Sequence, residues 1–180
     1  MKAVTDLLAT LGGRFTDERE QLAEEMTALI RDQVDEFGDF AGPELWEAVR
    51  VSCVANLQTG LTALAEDRSL PESIPPDARD LALMTARVNL PLAALLRAYR
   101  VAQAMMWRRW LDAVEAADPE PQVRRETLEV VSDYLFAYVD RLATFLTDEY
   151  TAERDRFMRS REQRRTQLVR DVLDGADPDP

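Results

Sequence analysis

Residues 122–174 contain neither proline nor glycine, and this run without helix breakers is the strongest constraint on the fold. At about 1.5 Å per residue it would form a helix of roughly 80 Å, much longer than a compact domain of this length is wide. The part through Tyr150 is apolar enough to pack in a core, whereas the part from Thr151 is mostly charged. We therefore predict a packed helical domain over 1–150, a helical linker or stalk over 151–174, and the start of a further linker over 175–180.

The composition is that of a globular protein without signals for export or membrane insertion. Apolar residues make up 46% of the 180 residues and charged residues 31%, a balance typical of folded domains. The chain lacks the run of about 18 apolar residues that a membrane span needs, and Asp6 interrupts any apolar region of a signal peptide. We expect a cytoplasmic protein that does not enter membranes.

The charge of the chain is strongly acidic but unevenly distributed. The formal net charge is −12, whereas residues 151–170 carry seven arginines and only three acidic residues. An acidic domain repels phosphate backbones. We therefore expect no direct nucleic-acid contact from this segment.

The chain has no histidine and a single cysteine, Cys53. Histidine is the commonest general base and metal ligand and the usual haem ligand, and one cysteine cannot form an internal disulfide. Cys53 also falls on an apolar helix face, where a thiol is normally buried. The sequence shows no nucleophile–base pair and no phosphate-binding loop. We expect no enzyme, no catalytic residue, no metal and no cofactor.

Helical periodicity extends through the whole chain, and no segment alternates long enough to form a strand. We predict five or six helices, with a first helix over Val4–Leu11. Glycine, proline and capping residues predict the other boundaries, at Gly12-Gly13, Thr16, Gly38, Pro43, the loop 67–76, Asn89-Leu90-Pro91 and the turn 118–121.

A helix over about 92–117 is apolar on more than one side, as expected of a central helix. We expect Arg100 on this helix to be mostly buried and paired with an anion, because a buried guanidinium requires one. Two interpretations remain open: a structural ion pair with a neighbouring helix, or a ligand-binding arginine in a pocket lined by Tyr99, Trp107 and Tyr134. The candidate ligand or buried-anion site comprises Asn56, Tyr99, Arg100, Gln103, Trp107 and Tyr134.

The last helix carries a sparse apolar stripe. Leu135, Leu146, Phe157 and Leu168 recur every 11 residues, a period that keeps one stripe on a nearly straight helix. Arginines interrupt the stripe beyond residue 158, so a coiled coil there would be weak by itself. A solvated linker and a parallel dimer stalk both remain open. The candidate stalk residues are Phe157, Met158, Leu168, Val169 and Val172.

The segment 89–103, Asn-Leu-Pro-Leu-Ala-Ala-Leu-Leu-Arg-Ala-Tyr-Arg-Val-Ala-Gln, resembles the signature of the N-terminal domain named after the RsbT co-antagonist proteins of the stressosome. The matching features are Pro91, which opens the helix, and the Leu-x-x-Ala-Tyr-Arg element that ends at Arg100. That domain also stands at the front of many PucR/CdaR-type transcriptional regulators of actinobacteria. Residues 164–175, Arg-Arg-Thr-Gln-Leu-Val-Arg-Asp-Val-Leu-Asp-Gly, are similar to the helix that leads into the middle domain of those regulators.

The resemblance covers about residues 15–175. It implies an excised, non-catalytic N-terminal module for sensing and dimerisation, which passes a signal through its last helix to a C-terminal DNA-binding region absent here. Related sensor domains are globin-like without haem, so we expect an all-α helical bundle, globin-like if it follows them.

We expect a homodimer that uses the final helix and one more helical face, because that helix overshoots a compact domain and carries apolar residues beyond it. The resemblance also implies a homodimer, because palindromic operators favour two-fold regulators. It identifies neither a small-molecule nor a protein signal. Two alternatives stay open. One is a stressosome-type scaffold or sensor domain, and the other is a stand-alone small-molecule-binding helical protein.

Overall fold

The computed structural model describes residues 2–40, 42–66 and 70–173, with side chains for all of these except 39, 40 and 171–173. All regular secondary structure in these ranges is helical, which confirms the predicted all-α bundle. The predicted number of five or six helices is too low, because the described residues form seven. They are α1 (Lys2–Asp17), α2 (Arg19–Gln33), α3 (Glu36–Phe40), α4 (Pro43–Ala65), α5 (Pro76–Arg87), α6 (Leu92–Ala116) and α7 (Pro121–Leu173).

Five of the helices form a closed ring. α2 packs on α4, α4 on α5, α5 on α7, α7 on α6, and α6 on α2. α1 packs against α4, α7, α2 and α6, so it covers one end of the ring. There the Phe15 ring meets the indole of Trp110 edge-on, with ring centroids 5.0 Å apart. The buried apolar side chains of these helices form one continuous core.

The two turns around α6 are built by residues with left-handed backbone. Asn89 has a φ of 60° and Asp118 a φ of 44°, and asparagine and aspartate are the non-glycine residues that adopt this region most readily. At the end of α5 the N–H of Leu90 donates to the carbonyl of Thr85 at 3.0 Å, which is the long bond of a Schellman motif. Both predicted turns are therefore confirmed, and α6 and α7 run antiparallel.

The predicted end of the first helix at Gly12-Gly13 is wrong, because α1 continues through both glycines to Asp17. Gly12 is buried, and a Cβ on it would lie 3.4 Å from the Cβ of Ala65 in α4. Glycine here allows close approach of the two helices, and their packing outweighs its low helix propensity. Thr16 is not a cap either. Its hydroxyl donates to the carbonyl of Gly12 at 2.9 Å, inside the same helix.

The predicted end of the second helix at Gly38 is also wrong. α2 ends at Gln33, and Gly38 lies within the short helix α3. The apolar stripe still continues across the break, since Val34 and Phe37 are both fully buried. Burial of the stripe, and not the glycine, determines the path of the chain at this point.

The last helix is continuous from Pro121 to Leu173, as the absence of breakers predicts. Buried contact with the ring extends to Glu153, whose carboxylate accepts from Arg87 Nε of α5 at 2.6 Å. From 154 to 170 every side chain is exposed except Ser160, which is half-buried. We use the terms inner half for 121–153 and outer half for 154–173. The predicted linker over 175–180 lies outside the described residues.

None of the helices in the described ranges combines the length and the hydropathy that crossing a bilayer requires.

Candidate functional site

The ring of five helices encloses a cavity with about 90 Å³ open to the centres of water-sized molecules. All five helices line it, including Met26 of α2, Gly60 of α4, Leu81 of α5, Met106 of α6 and Tyr138 of α7. One water needs about 10–15 Å³ of such space. The cavity therefore has room for several waters or for one small ligand.

A polar cluster stands on one side of this otherwise apolar cavity. The hydroxyls of Ser52 and Tyr99 lie 3.1 Å apart in a hydrogen bond that links α4 to α6. Asn56 donates through Nδ2 to the carbonyl of Ser52 at 2.8 Å. The hydroxyl of Tyr138 donates to Asn56 Oδ1 at 3.0 Å and so ties α7 to α4. Four side chains therefore connect three helices across the cavity.

The hydroxyl of Tyr134, which also lines the cavity, does not take part in this polar cluster. Its Oη is buried and has no hydrogen-bond partner among the described residues. Its ring stacks on Tyr138, with centroids 6.0 Å apart and planes inclined by 11°. Burial alone raises the pKa of Tyr134 to about 12. At neutral pH the hydroxyl is a donor without an acceptor, which is the group that a ligand could satisfy.

The cavity disfavours charge. None of its lining residues is charged, and burial raises the pKa of Tyr99 and of Tyr138 above their usual range. Burial likewise raises the pKa of the Cys53 thiol to about 12, so the thiol stays protonated at neutral pH. These groups can hydrogen-bond but none is an activated nucleophile. The described residues include no cluster of three or more potential metal ligands, and the expected absence of metal and cofactor stays a prediction.

The expectation that Arg100 is buried is wrong. Arg100 is exposed and has no ion pair among the described residues. The buried face of α6 runs through Ala94, Ala98, Met105 and Trp110. At about 100° per residue, Arg100 falls on the opposite side of the helix. Leu96 and Trp107, which share this side of the helix with Arg100, are only half-buried and lie at the outer edge of the core.

Arg100 lies instead in a groove on the outer surface between α6 and α7. Arg100, Ala104 and Trp107 line the α6 side, and Phe136 and Asp140 line the α7 side. Phe136 is 68% exposed, a large value for an aromatic ring. Gln103, Leu135 and Val139 line both this groove and the cavity. These three side chains therefore form a thin wall that separates the groove from the cavity.

The predicted candidate site is thus divided between two places. Asn56, Tyr99, Gln103 and Tyr134 line the cavity, whereas Arg100 and Trp107 line the groove. Sequence reasoning missed Ser52 and Tyr138 as members of the polar cluster. Each lies four residues from a predicted member, Asn56 and Tyr134 respectively. Polar pairs at that spacing share one helix face, and this signal could have found them.

The candidate stalk residues lie on the outer half of α7, and the described part of this chain does not cover those whose side chains are described. Phe157, Met158, Leu168 and Val169 are all exposed, and the guanidinium of Arg161 lies 5.8 Å from the centre of the Phe157 ring. The side chain of Val172 falls outside the described ones. Pairing of the outer half with a second copy stays a prediction.

A family model described as the RsbT co-antagonist protein rsbRD N-terminal domain matches residues 20–165. The match spans more than half of the chain, from α2 to the outer half of α7. No curated protein matches the chain, and no solved structure matches it. The globin-like arrangement therefore stays a prediction.

Proposed function

The chain belongs to the family of rsbRD-type N-terminal domains of RsbT co-antagonist proteins, and from this premise we propose that it senses a signal and dimerises at the front of a PucR/CdaR-type transcriptional regulator. The family assignment makes it a regulatory sensor-type module. The regulator context is supported by the resemblance of segments 89–103 and 164–175. In this proposal the signal passes along the last helix to a DNA-binding region that follows in the regulator.

The observation that carries the proposal is the continuity of α7. Tyr134 and Tyr138 line the cavity in the inner half, and the same unbroken helix extends through the exposed outer half. A helix transmits a shift or rotation along its axis because its backbone hydrogen bonds are continuous. A change in the cavity would therefore move the outer half without any intervening hinge.

The α6–α7 groove is the surface that we propose for dimerisation. Its apolar floor, with the exposed Phe136, has no cover from the described part of this chain. Arg100 and Asp140 lie at the same end of the groove, and neither has an ion-pair partner among the described side chains. In a parallel two-fold dimer, α6 of each copy faces α7 of the other. Arg100 would then face Asp140 of the second copy, which is a favourable pairing.

The outer half of α7 presents its apolar residues on the side of the groove. At about 100° per residue, Phe157, Met158 and Leu168 fall within about 60° of Phe136 around the helix axis. One parallel interface could thus continue from the groove into the stalk. The arginines of the outer half oppose tight pairing there, so the groove supplies most of the proposed contact.

Sedimentation equilibrium on the full chain tests this proposal. We expect a dimer at micromolar concentrations and a monomer for Phe136→Asp, which places a carboxylate in the interface. Val130→Asp is the matched control, because Val130 is a residue of α7 that is 40% exposed and lies outside the groove. A monomeric wild-type chain at high micromolar concentration would refute the dimer. Equal dimerisation of Phe136→Asp and wild type would place the interface elsewhere.

A charge exchange tests the orientation of the dimer. Arg100→Asp and Asp140→Arg each create like-charged contacts in the parallel arrangement, so each should weaken the dimer, and the double variant should recover it. Recovery contradicts any arrangement in which these residues do not meet. Additive weakening in the double variant would contradict the parallel arrangement.

The family description also favours a second candidate function, a stressosome-type scaffold or sensor domain. Its output would be a phosphorylatable domain and not a DNA-binding one. The residues encoded after Pro180 in the gene distinguish the two candidates.

A further inference from the structure

We propose that the ring cavity binds a small, neutral, mainly apolar molecule with one hydrogen-bond-accepting oxygen, such as a ketone, and that Tyr134 donates the bond that selects it. The inference adds a ligand class to the proposed function. It rests on that function only for the link between the cavity and the outer half of α7, and the experiment below measures that link separately.

Two groups of the cavity lining that can donate a hydrogen bond have no partner among the described residues. The hydroxyl of Tyr134 and the indole N–H of Trp110 have no partner at all among the described residues, and both side chains line the cavity. A buried donor without an acceptor is costly. The indole N–H can only donate, and an acceptor would also satisfy the Tyr134 hydroxyl, so the complementary ligand offers an acceptor.

The absence of charge in the lining makes the ligand neutral. Arg100 lines the outer groove and not the cavity, so no guanidinium is available to a carboxylate or phosphate there. The raised pKa of Tyr134, about 12, has the same cause, which is an environment that disfavours anions. Moving an anion into such a site is much more costly than moving a carbonyl.

The cavity volume sets the size of the ligand. An engineered apolar cavity of about 150 Å³ in another protein admits benzene, and the space here is about 90 Å³. Met26 and Met106 line the cavity, and methionine is the apolar side chain that adapts its shape most easily. A five-membered ring ketone is therefore a suitable probe, and cyclopentanone is the one that we choose.

Methionine methyl resonances allow binding and transmission to be measured together. In the full chain labelled with ¹³C-methyl methionine, cyclopentanone should shift Met26 and Met106 saturably, while Met84, which does not line the cavity, serves as the internal reference. Cyclopentane, which has no acceptor, should bind more weakly, and cyclopentanecarboxylate should not bind. Met158 lies on the outer half of α7, so its shift reports the proposed link to the stalk. If the resonances of Met26 and Met106 shift and that of Met158 does not, the ligand proposal is supported and the transmission proposal fails.

Matched variants identify the donor. Tyr134→Phe should raise the dissociation constant of cyclopentanone about fivefold to tenfold and leave that of cyclopentane unchanged. Tyr150→Phe makes the same change on the same helix outside the cavity and should leave both constants unchanged. Ala102→Leu, which fills the cavity, should abolish binding of both probes, and the exposed Ala93→Leu should not.

Three results would overturn the ligand proposal. The first is the absence of saturable shifts at Met26 and Met106 with cyclopentanone. The second is binding of the carboxylate as strong as that of the ketone. The third is an unchanged dissociation constant for cyclopentanone in a folded Tyr134→Phe variant, which would assign the selection to another group.

Discussion

The inner and outer halves of α7 share one uninterrupted helix and differ in what surrounds them. Leu146 of the inner half is fully buried and Leu135 is half-buried against the core, whereas Phe157 and Leu168, at the same 11-residue spacing, are exposed. The apolar pattern alone therefore does not show whether a stripe is covered. The ring covers one side of the inner half, and the other side forms the α6–α7 groove with the exposed Phe136. The described part of this chain supplies no cover for the outer half, and in the dimer that we propose a second copy would lie against it.

The largest expected difference between the two halves is in stability. Leu146 is fully buried and Leu168 is 61% exposed. Leu146→Ala should lower the free energy of unfolding by about 2–5 kcal/mol, because it removes buried methyl groups and leaves a cavity. Leu168→Ala should change it by no more than about 0.5 kcal/mol.

Urea denaturation at a protein concentration below that of dimer formation measures both variants. Equal losses would contradict the distinction between the halves. A large loss for Leu168→Ala would show that the outer half is covered within the monomer.

A smaller effect is expected at the border between the halves, at Glu153. The Arg87 guanidinium holds the pKa of this carboxyl below 4.5, its ordinary value. A lowered pKa contributes stability above the unfolded pKa, and this contribution is lost as the pH falls through the folded pKa. The free energy of unfolding of the wild type should therefore be about 0.5–1 kcal/mol higher than that of Glu153→Gln near neutral pH. The difference is small because Arg87 is exposed.

Denaturation at several pH values between about 6 and 3 tests the Glu153 prediction. The difference between wild type and Glu153→Gln should shrink as the pH falls. Glu162→Gln, an exposed carboxylate of the outer half, is the control and should show no such trend. A stability difference that grows towards acid pH would contradict the lowered pKa of Glu153.

The smallest expected effect concerns salt. Parallel copies of Arg161, Arg164 and Arg165 would repel each other, so raising the ionic strength should strengthen pairing of the outer half. We expect the dimer dissociation constant to fall by about twofold, the size of one like-charge helical pair. The charge pairs proposed across the groove weaken with salt, so the variant Asp140→Asn, which lacks them, should show the gain more clearly. Sedimentation equilibrium in low and high salt measures it, and a dissociation constant that rises with salt in Asp140→Asn would contradict stalk pairing.

The candidate site was predicted only in part, and the particular residues show why. The predicted members Asn56, Tyr99, Gln103 and Tyr134 come from three helices, and the structure brings all four to one cavity. Arg100 is predicted to join them because it shares a helix face with the apolar Leu96 and Trp107. Its actual position depends on which side of α6 the other helices cover, and local sequence does not contain that information.

The sequence by itself determined the helical class, the continuity of α7 and the turns at Asn89 and Asp118. These features depend on backbone terms that act within a few residues, namely the absence of breakers, helical periodicity and the tolerance of asparagine and aspartate for left-handed backbone. Only the tertiary structure decided that α1 passes through Gly12, that Arg100 faces outward, and that five helices surround a cavity in which the Tyr134 hydroxyl has no partner among the described residues. Those outcomes depend on which surfaces cover one another, because burial is a property of the whole packed ring and not of any single segment.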